Sequence, residues 1–129
     1  MRKKILVIDD EELLVKTFAR LLEKINYEVA VASRPDDAIA MAQKEEFDLV
    51  LCDIRMPGKN GVETIREMRA VQKRKGNRTV PVIFLTGFAD LKLEREAQIL
   101  QPAAYLYKPF DTMRLLNAIE SALQGVIET

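Results

Sequence analysis

Five short apolar runs, each closing on a polar residue and each followed by a longer amphipathic stretch, constrain this chain more than any other feature. Ile5-Leu6-Val7-Ile8 closes on Asp9-Asp10, and residues 27–32 close on Ser33-Arg34. Residues 49–52 close on Asp53, 82–85 on Thr86, and 104–107 on Lys108. Runs this continuous read as strands covered on both faces, with no wet side. The stretches between them carry helical spacing. Over residues 12–25 the apolar Leu14, Phe18, Leu21, Leu22 and Ile25 recur at that period. Pro35-Asp36-Asp37 makes a favourable helix first turn, and Ile65, Met68 and Val71 mark a third helix. Leu93, Ala97 and Leu100 predict a weaker helix that Pro102 must end. Asp111 suits the N-cap of a last helix burying Leu115, Ile119, Ala122 and Leu123. Residues 73–78, basic and carrying Gly76 and Asn77, read as an exposed connection. Strands joined by helices and buried on both faces predict an α/β class: a single doubly wound domain over residues 1–129. Right-handed crossovers give a five-stranded parallel sheet of order 2-1-3-4-5.

Composition removes whole classes of chemistry. There is no histidine and only one cysteine, so a disulfide framework, the usual zinc ligand sets and Ser-His-Asp or Cys-His catalysis are all excluded. Twenty basic residues balance twenty acidic ones, a poor composition for binding nucleic acid. No apolar run approaches the roughly 18 residues of a membrane span. Met1-Arg2-Lys3-Lys4 has the charge of a signal peptide, but four apolar residues and then Asp9-Asp10 leave no hydrophobic region behind it.

In an open α/β sheet, ligands bind beyond the carboxyl ends of the strands, at the switch in strand order between the first and third. Asp9, Asp10 and Asp53 meet there, with Thr86 and Lys108 on the neighbouring strands. An Asp at a strand-to-helix junction is ordinarily just an N-cap. Three of them converging with Thr and Lys is a different matter, because each disfavours ionising the others and calls for cationic compensation. With no histidine and no cluster of cysteine thiolates, the set suits a hard divalent ion, Mg2+ first. Cys52, in an apolar strand beside Asp53, reads as core packing.

Asp9-Asp10, the Asp53-Ile54-Arg55-Met56-Pro57-Gly58 segment with Gly61, Thr86, and Lys108-Pro109-Phe110 together resemble the receiver domain of two-component response regulators. The interval of 22 residues between Thr86 and Lys108 is similar to that of chemotaxis-type members. The resemblance covers essentially the whole chain and implies a flavodoxin-like (βα)5 fold. It makes Asp53 the phosphoacceptor. Asp10 and Asp53 would bind Mg2+ directly, Asp9 mostly through water, and the Arg55 backbone carbonyl would complete the protein ligands. The partner it implies is a sensor histidine kinase or phosphotransfer protein, so a chain without histidine can still join a phosphorelay. Lys108 would stabilise charge on the transferring oxygens, and a cis bond at Lys108-Pro109 would aim it. The Thr86 hydroxyl would move to the phosphoryl group and Tyr105 would turn inward, remodelling the surface of the fourth helix, fifth strand and fifth helix. Tyr107 shares a sheet face with Tyr105 by the period of two, and only the resemblance selects Tyr105.

The resemblance also implies a cytoplasmic phosphoprotein that catalyses only its own phosphorylation and slow autodephosphorylation. Its output would go to a downstream protein or an attached output domain, with a homodimer among the arrangements the family uses. Phe88 and Arg55 occupy positions that influence water access in the family. A bulky aromatic and a long cation there predict a phosphorylated state that outlasts chemotaxis-type switches, and Gly87 keeps the site open. The interval of 33 residues from Asp53 to Thr86 is a few residues longer than in those members, and Gln101-Pro102 lacks the glycine common at that helix end. A haloacid-dehalogenase-like phosphatase uses a similar Asp, Thr, Lys and Mg2+ set. It needs an acid two residues past the nucleophile, where this chain has Arg55, which cannot donate a proton usefully. A flavodoxin-like cofactor binder needs a hydroxyl- and glycine-rich loop where this chain has Asp9-Asp10-Glu11-Glu12.

Overall fold

The computed structural model describes residues 2–87 and 89–125. Their element order is β1 (Lys4–Ile8), α1 (Glu12–Lys24), β2 (Glu28–Ala32), α2 (Pro35–Lys44), β3 (Leu49–Asp53), α3 (Gly61–Arg74), β4 (Val82–Thr86), α4 (Leu91–Ile99), β5 (Ala104–Tyr107) and α5 (Thr112–Leu123). The strands form one parallel sheet of order β2-β1-β3-β4-β5, as the alternation predicts. Alternate residues of each central strand feed two cores. Leu6, Ile8, Val50, Cys52 and Phe84 pack under α2, α3 and α4. Ile5, Val7, Leu49, Leu51 and Ile83 pack under α1 and α5.

The helix starts are chemically explicit. Pro35 opens α2 with Asp36 and Asp37 in its first turn. Asn60 and Glu63 form a reciprocal capping box on α3, each side chain accepting from the other's backbone N–H at 2.9 Å. Asp111 accepts from Met113 N–H at 2.8 Å, so the predicted N-cap of α5 is realised.

Several expectations are corrected. Only β1, β3 and β4 are covered on both faces. The sheet edges β2 and β5 carry exposed positions, Val31 and Tyr107 among them, because an edge strand has a neighbour on one side only. Along α1 the buried stripe is Val15, Phe18 and Leu22, while Ile25 lies past the helix and is exposed. Leu123 of α5 is only partly buried. The basic segment 73–78 is not simply loop. Its first two residues finish α3, Lys75 donates to the Gln43 carbonyl at 2.6 Å and Arg78 pairs with Asp48 at 3.2 Å. The end of α4 is indeed built differently from a glycine stop. Gln101 takes the left-handed conformation (φ 53°), and Arg69 donates to the Leu100 carbonyl at 2.5 Å.

Candidate functional site

Parallel pairing carries the polar residue at the end of each strand to the same sheet edge, and the register is tight enough to specify which side chains meet. Asp9 N–H donates to the Ala32 carbonyl at 3.2 Å, so the first acidic residue is held by an extension of the β1–β2 ladder. Asp53 is the last residue of β3, paired with Leu85, and Ile54 N–H continues the ladder to the Leu85 carbonyl at 3.0 Å. Lys108 N–H donates to the Thr86 carbonyl at 2.6 Å, tying the ends of β4 and β5, and the Lys108-Pro109 bond is cis as the resemblance predicted.

Asp9, Asp53 and Thr86 are buried (1%, 5% and 1% exposed) whereas Asp10 is exposed. One carboxylate oxygen from each of Asp9, Asp10 and Asp53 lies within 4.8 Å of the others. Lys108 reaches over this cluster. Its Nζ lies 3.1 Å from Asp9 Oδ2, 3.3 Å from Glu11 Oε1 and 3.7 Å from Asp53 Oδ2. Burial works to lower the Lys108 ammonium, but the hydrogen bond to Asp9 and the charges of Asp53, Asp9 and Glu11 hold it above its ordinary value. Asp53 is pushed the other way. Burial first, then the charge of Asp9, raise its carboxyl from 3.8 to about 6, against Lys108 and a backbone hydrogen bond from Arg55. A single ammonium thus under-compensates three carboxylates whose donors are all hard oxygens. That is the donor chemistry of a hard divalent cation. A cleft of about 600 Å³, lined by Asp10, Ser33, Arg34, Pro57 and Lys59, opens beside Asp10.

The loop after Asp53 is pinned from below by glycine. Gly61 N–H donates to the Ile54 carbonyl at 2.7 Å, and a Cβ at Gly61 would overlap the Asp53 carbonyl oxygen. Arg55 directs its guanidinium to Asp90 Oδ2 at 3.5 Å. Phe88, the other residue expected to hinder water, lies outside the described residues. Tyr105 is half-buried against Phe84 and meets Tyr107 edge-on, with ring centroids 5.4 Å apart. Its enclosed hydroxyl has no hydrogen-bond partner among the described residues, and burial raises it to about 12. Cys52 is fully buried, and burial drives its thiol well above its ordinary value, in keeping with core packing.

All the predicted site residues except Tyr105 gather at this edge. Tyr105 lies on the flank of β5, two residues before Tyr107. Three participants were not anticipated: Glu11 as a second partner of Lys108, Asp90 as the partner of Arg55, and Glu94, which accepts from the Tyr107 hydroxyl at 2.6 Å. Glu11 sits within the run Asp9-Asp10-Glu11-Glu12, where sequence offers four acids and no direction for any of them.

A doubly wound sheet with a buried aspartate at the switch point, two further aspartates and a lysine defines a phosphoacceptor class of α/β domain. The comparisons name the family. The response regulator receiver domain matches residues 5–120, so the chain belongs to the receiver domains of two-component response regulators, which are signalling switches driven by a phosphoacceptor. It is 36% identical over 125 residues to the transcriptional regulatory protein ZraR of Salmonella typhimurium, covering 97% of this chain and 27% of that protein. The chain therefore spans about a quarter of that relative's length. Among solved structures, it is similar to a CheY-like receiver domain from Methanospirillum hungatei, with TM-score 0.87 and 29% identity over 97% of this chain and 96% of that one. A response regulator of Burkholderia pseudomallei, solved with a phosphorylated aspartic acid, calcium ion and citrate, matches at TM-score 0.80 and 28% identity. That match covers 95% of this chain and 69% of that one. Among the described residues no helix is long and apolar enough to cross a membrane.

Proposed function

We propose that residues 1–129 act as one receiver unit whose phosphoacceptor is Asp53. The observation that carries this is the buried Asp53 carboxylate, 3.7 Å from the Lys108 ammonium and beside Asp9 and Asp10. A phosphorylated aspartic acid and a divalent ion in the Burkholderia relative support it. The donor is a phosphohistidine on a sensor histidine kinase or phosphotransfer protein. The Asp53 carboxylate attacks phosphorus in line, the new P–O bond forms as the P–N bond breaks, and the imidazole nitrogen keeps the electron pair. Asp10 and Asp53 would hold Mg2+ directly and Asp9 mainly through water, with the Arg55 carbonyl as the remaining protein ligand. When bound, Mg2+ supplies neutralisation of charge on the phosphoryl oxygens. Lys108 supplies a second, preorganised positive charge, fixed by Asp9 and Glu11 before any reaction.

The Thr86 hydroxyl answers the new phosphoryl group, and Tyr105 follows it to alter the α4–β5–α5 surface. Output passes to a downstream protein or an attached output domain, with homodimerisation through that surface as one route. The domain works in the cytoplasm, turns over no external substrate and makes no direct contact with nucleic acid. The phosphatase alternative fails on Arg55, whose guanidinium turns to Asp90 and offers no acid.

The test is intact mass after incubation with a small acyl phosphate and Mg2+, with Asp53→Ala alongside. One phosphoryl group, roughly 80 Da, that requires both Mg2+ and Asp53 is the expected result. An adduct that survives in Asp53→Ala overturns the assignment.

A further inference from the structure

We infer that Asp90 is a positioning residue for the phosphorylated site. It holds the Arg55 guanidinium on the first turn of α4, and the phosphoryl group on Asp53 draws Arg55 away. The inference rests on Asp53 as phosphoacceptor and adds what controls the lifetime of that state and how α4 senses it.

Asp90 uses its two carboxylate oxygens for two tasks. Oδ1 accepts from Leu93 N–H at 3.1 Å and caps α4, while Oδ2 pairs with Arg55 at 3.5 Å. The Leu93 N–H, with Arg55 adding to it, holds the Asp90 carboxyl below its ordinary value against some desolvation. Arg55 lies two residues past Asp53, yet the side-chain charges acting on Asp53 are those of Asp9, Lys108 and Asp10. In the unphosphorylated chain the guanidinium is thus tied to the first turn of α4.

Phosphorylation changes the competition. A phosphoryl group adds up to two negative charges and three acceptor oxygens on Asp53, and a planar guanidinium suits such oxygens better than a single carboxylate oxygen at 3.5 Å. Arg55 is half-exposed on a long, flexible side chain whose guanidinium can change partners. Its new position lies across the approach of water to phosphorus. Its departure also removes one of the polar ties that orient α4. That helix buries only Ala97 fully and leaves Leu91 and Ile99 exposed. Among the described residues its other side-chain ties are the hydrogen bond from Tyr107 to Glu94 at 2.6 Å and that from Arg69 to the Leu100 carbonyl at its end. A helix with so little apolar anchorage responds to the loss of one polar contact.

The experiment compares phosphoryl loss in the unmodified chain, Asp90→Asn, Arg55→Gln and the double variant. Each is loaded with a small acyl phosphate and Mg2+ and followed by intact mass. Asparagine keeps the α4 cap and removes only the charge that holds Arg55. Asp90→Asn is expected to slow phosphoryl loss about two- to fivefold, the range an exposed ion pair commands, and to leave the rate unchanged in the Arg55→Gln background. Amide exchange at residues 91–94 is expected to quicken on phosphorylation of the unmodified chain and to change little in Asp90→Asn. Equal lifetimes for Asp90→Asn and the unmodified chain, or the same slowing with and without Arg55, overturn the inference while leaving Asp53 in place. An unmodified chain that takes up no phosphoryl group overturns the parent reading and this one with it.

Discussion

Replacing Asp53 by Asn is expected to stabilise the metal-free fold at neutral pH, although it abolishes phosphoryl uptake. The carboxyl is raised from 3.8 to about 6, by burial first and by Asp9 second. At 1.36 kcal/mol per tenfold change in proton affinity, that is a gross penalty of about 3 kcal/mol for holding the charge in the folded chain. The pocket opens to water at Asp10 and Glu11, and screening brings the net figure to about 1–2 kcal/mol. Between the two values the folded state holds more protons than the unfolded state, so stability from this group is present at low pH and is lost as pH rises towards 6. Above that the penalty is complete. At pH 4 it shrinks to a few tenths of a kcal/mol, roughly, because the folded carboxyl is then protonated and the unfolded one, near its own midpoint, has only begun to gain from ionising.

Asparagine keeps the shape and the acceptor for the Arg55 N–H, and Lys108 retains Asp9 and Glu11. The assay is urea or thermal unfolding with a chelator present, followed by far-ultraviolet dichroism since the chain has no tryptophan. At pH 7.5 a rise of about 4–7 °C in Tm is expected for a domain of this size, and near pH 4 almost none. The same gain at both pH values, or a loss at pH 7.5, would refute the charge argument. Saturating Mg2+ is expected to stabilise the unmodified chain and to close the gap to Asp53→Asn, because a ligand of the folded state adds stability by mass action.

Three further substitutions probe the scaffold around the site, each by chemical denaturation. Gly61→Ala places a methyl against the Asp53 carbonyl and is expected to cost about 1–3 kcal/mol, with reduced phosphoryl uptake because the end of β3 must shift. Tyr105→Phe removes a buried hydroxyl that has no partner among the described residues, and a gain of about 1 kcal/mol is expected. Asn60→Ala removes the half of the α3 capping box in which Asn60 Oδ1 accepts from Glu63 N–H, at a cost of about 1 kcal/mol, whereas Asn60→Asp should retain it.

The sheet order and the site were legible in the sequence for the same physical reason. Central strands bury both faces, so β1, β3 and β4 appear as unbroken apolar runs, and the residue that ends each run must lie at the ligand-binding edge. Asp9, Asp53, Thr86 and Lys108 follow from that rule without a distance being known. The edge strands β2 and β5 were read as equally buried because a run of apolar residues does not reveal how many neighbours its strand has. The partners of the long cations were illegible for a different reason. Lys108 meets Glu11 and Asp9, and Arg55 meets Asp90, across sequence separations of 97, 99 and 35 residues, among a surplus of acids that sequence leaves undirected. Arg55 is predicted to hinder water at the phosphorylated site, and before phosphorylation its guanidinium pairs with Asp90 at the start of α4. That helix is also where periodicity was weakest, with Ala97 alone fully buried and Gln101 standing where a glycine would end it. Weak periodicity and weak anchorage are one property seen twice. A helix with few buried residues leaves a faint pattern in the sequence, is held by polar contacts that sequence does not specify, and for that same reason responds to the loss of a polar tie such as Arg55–Asp90.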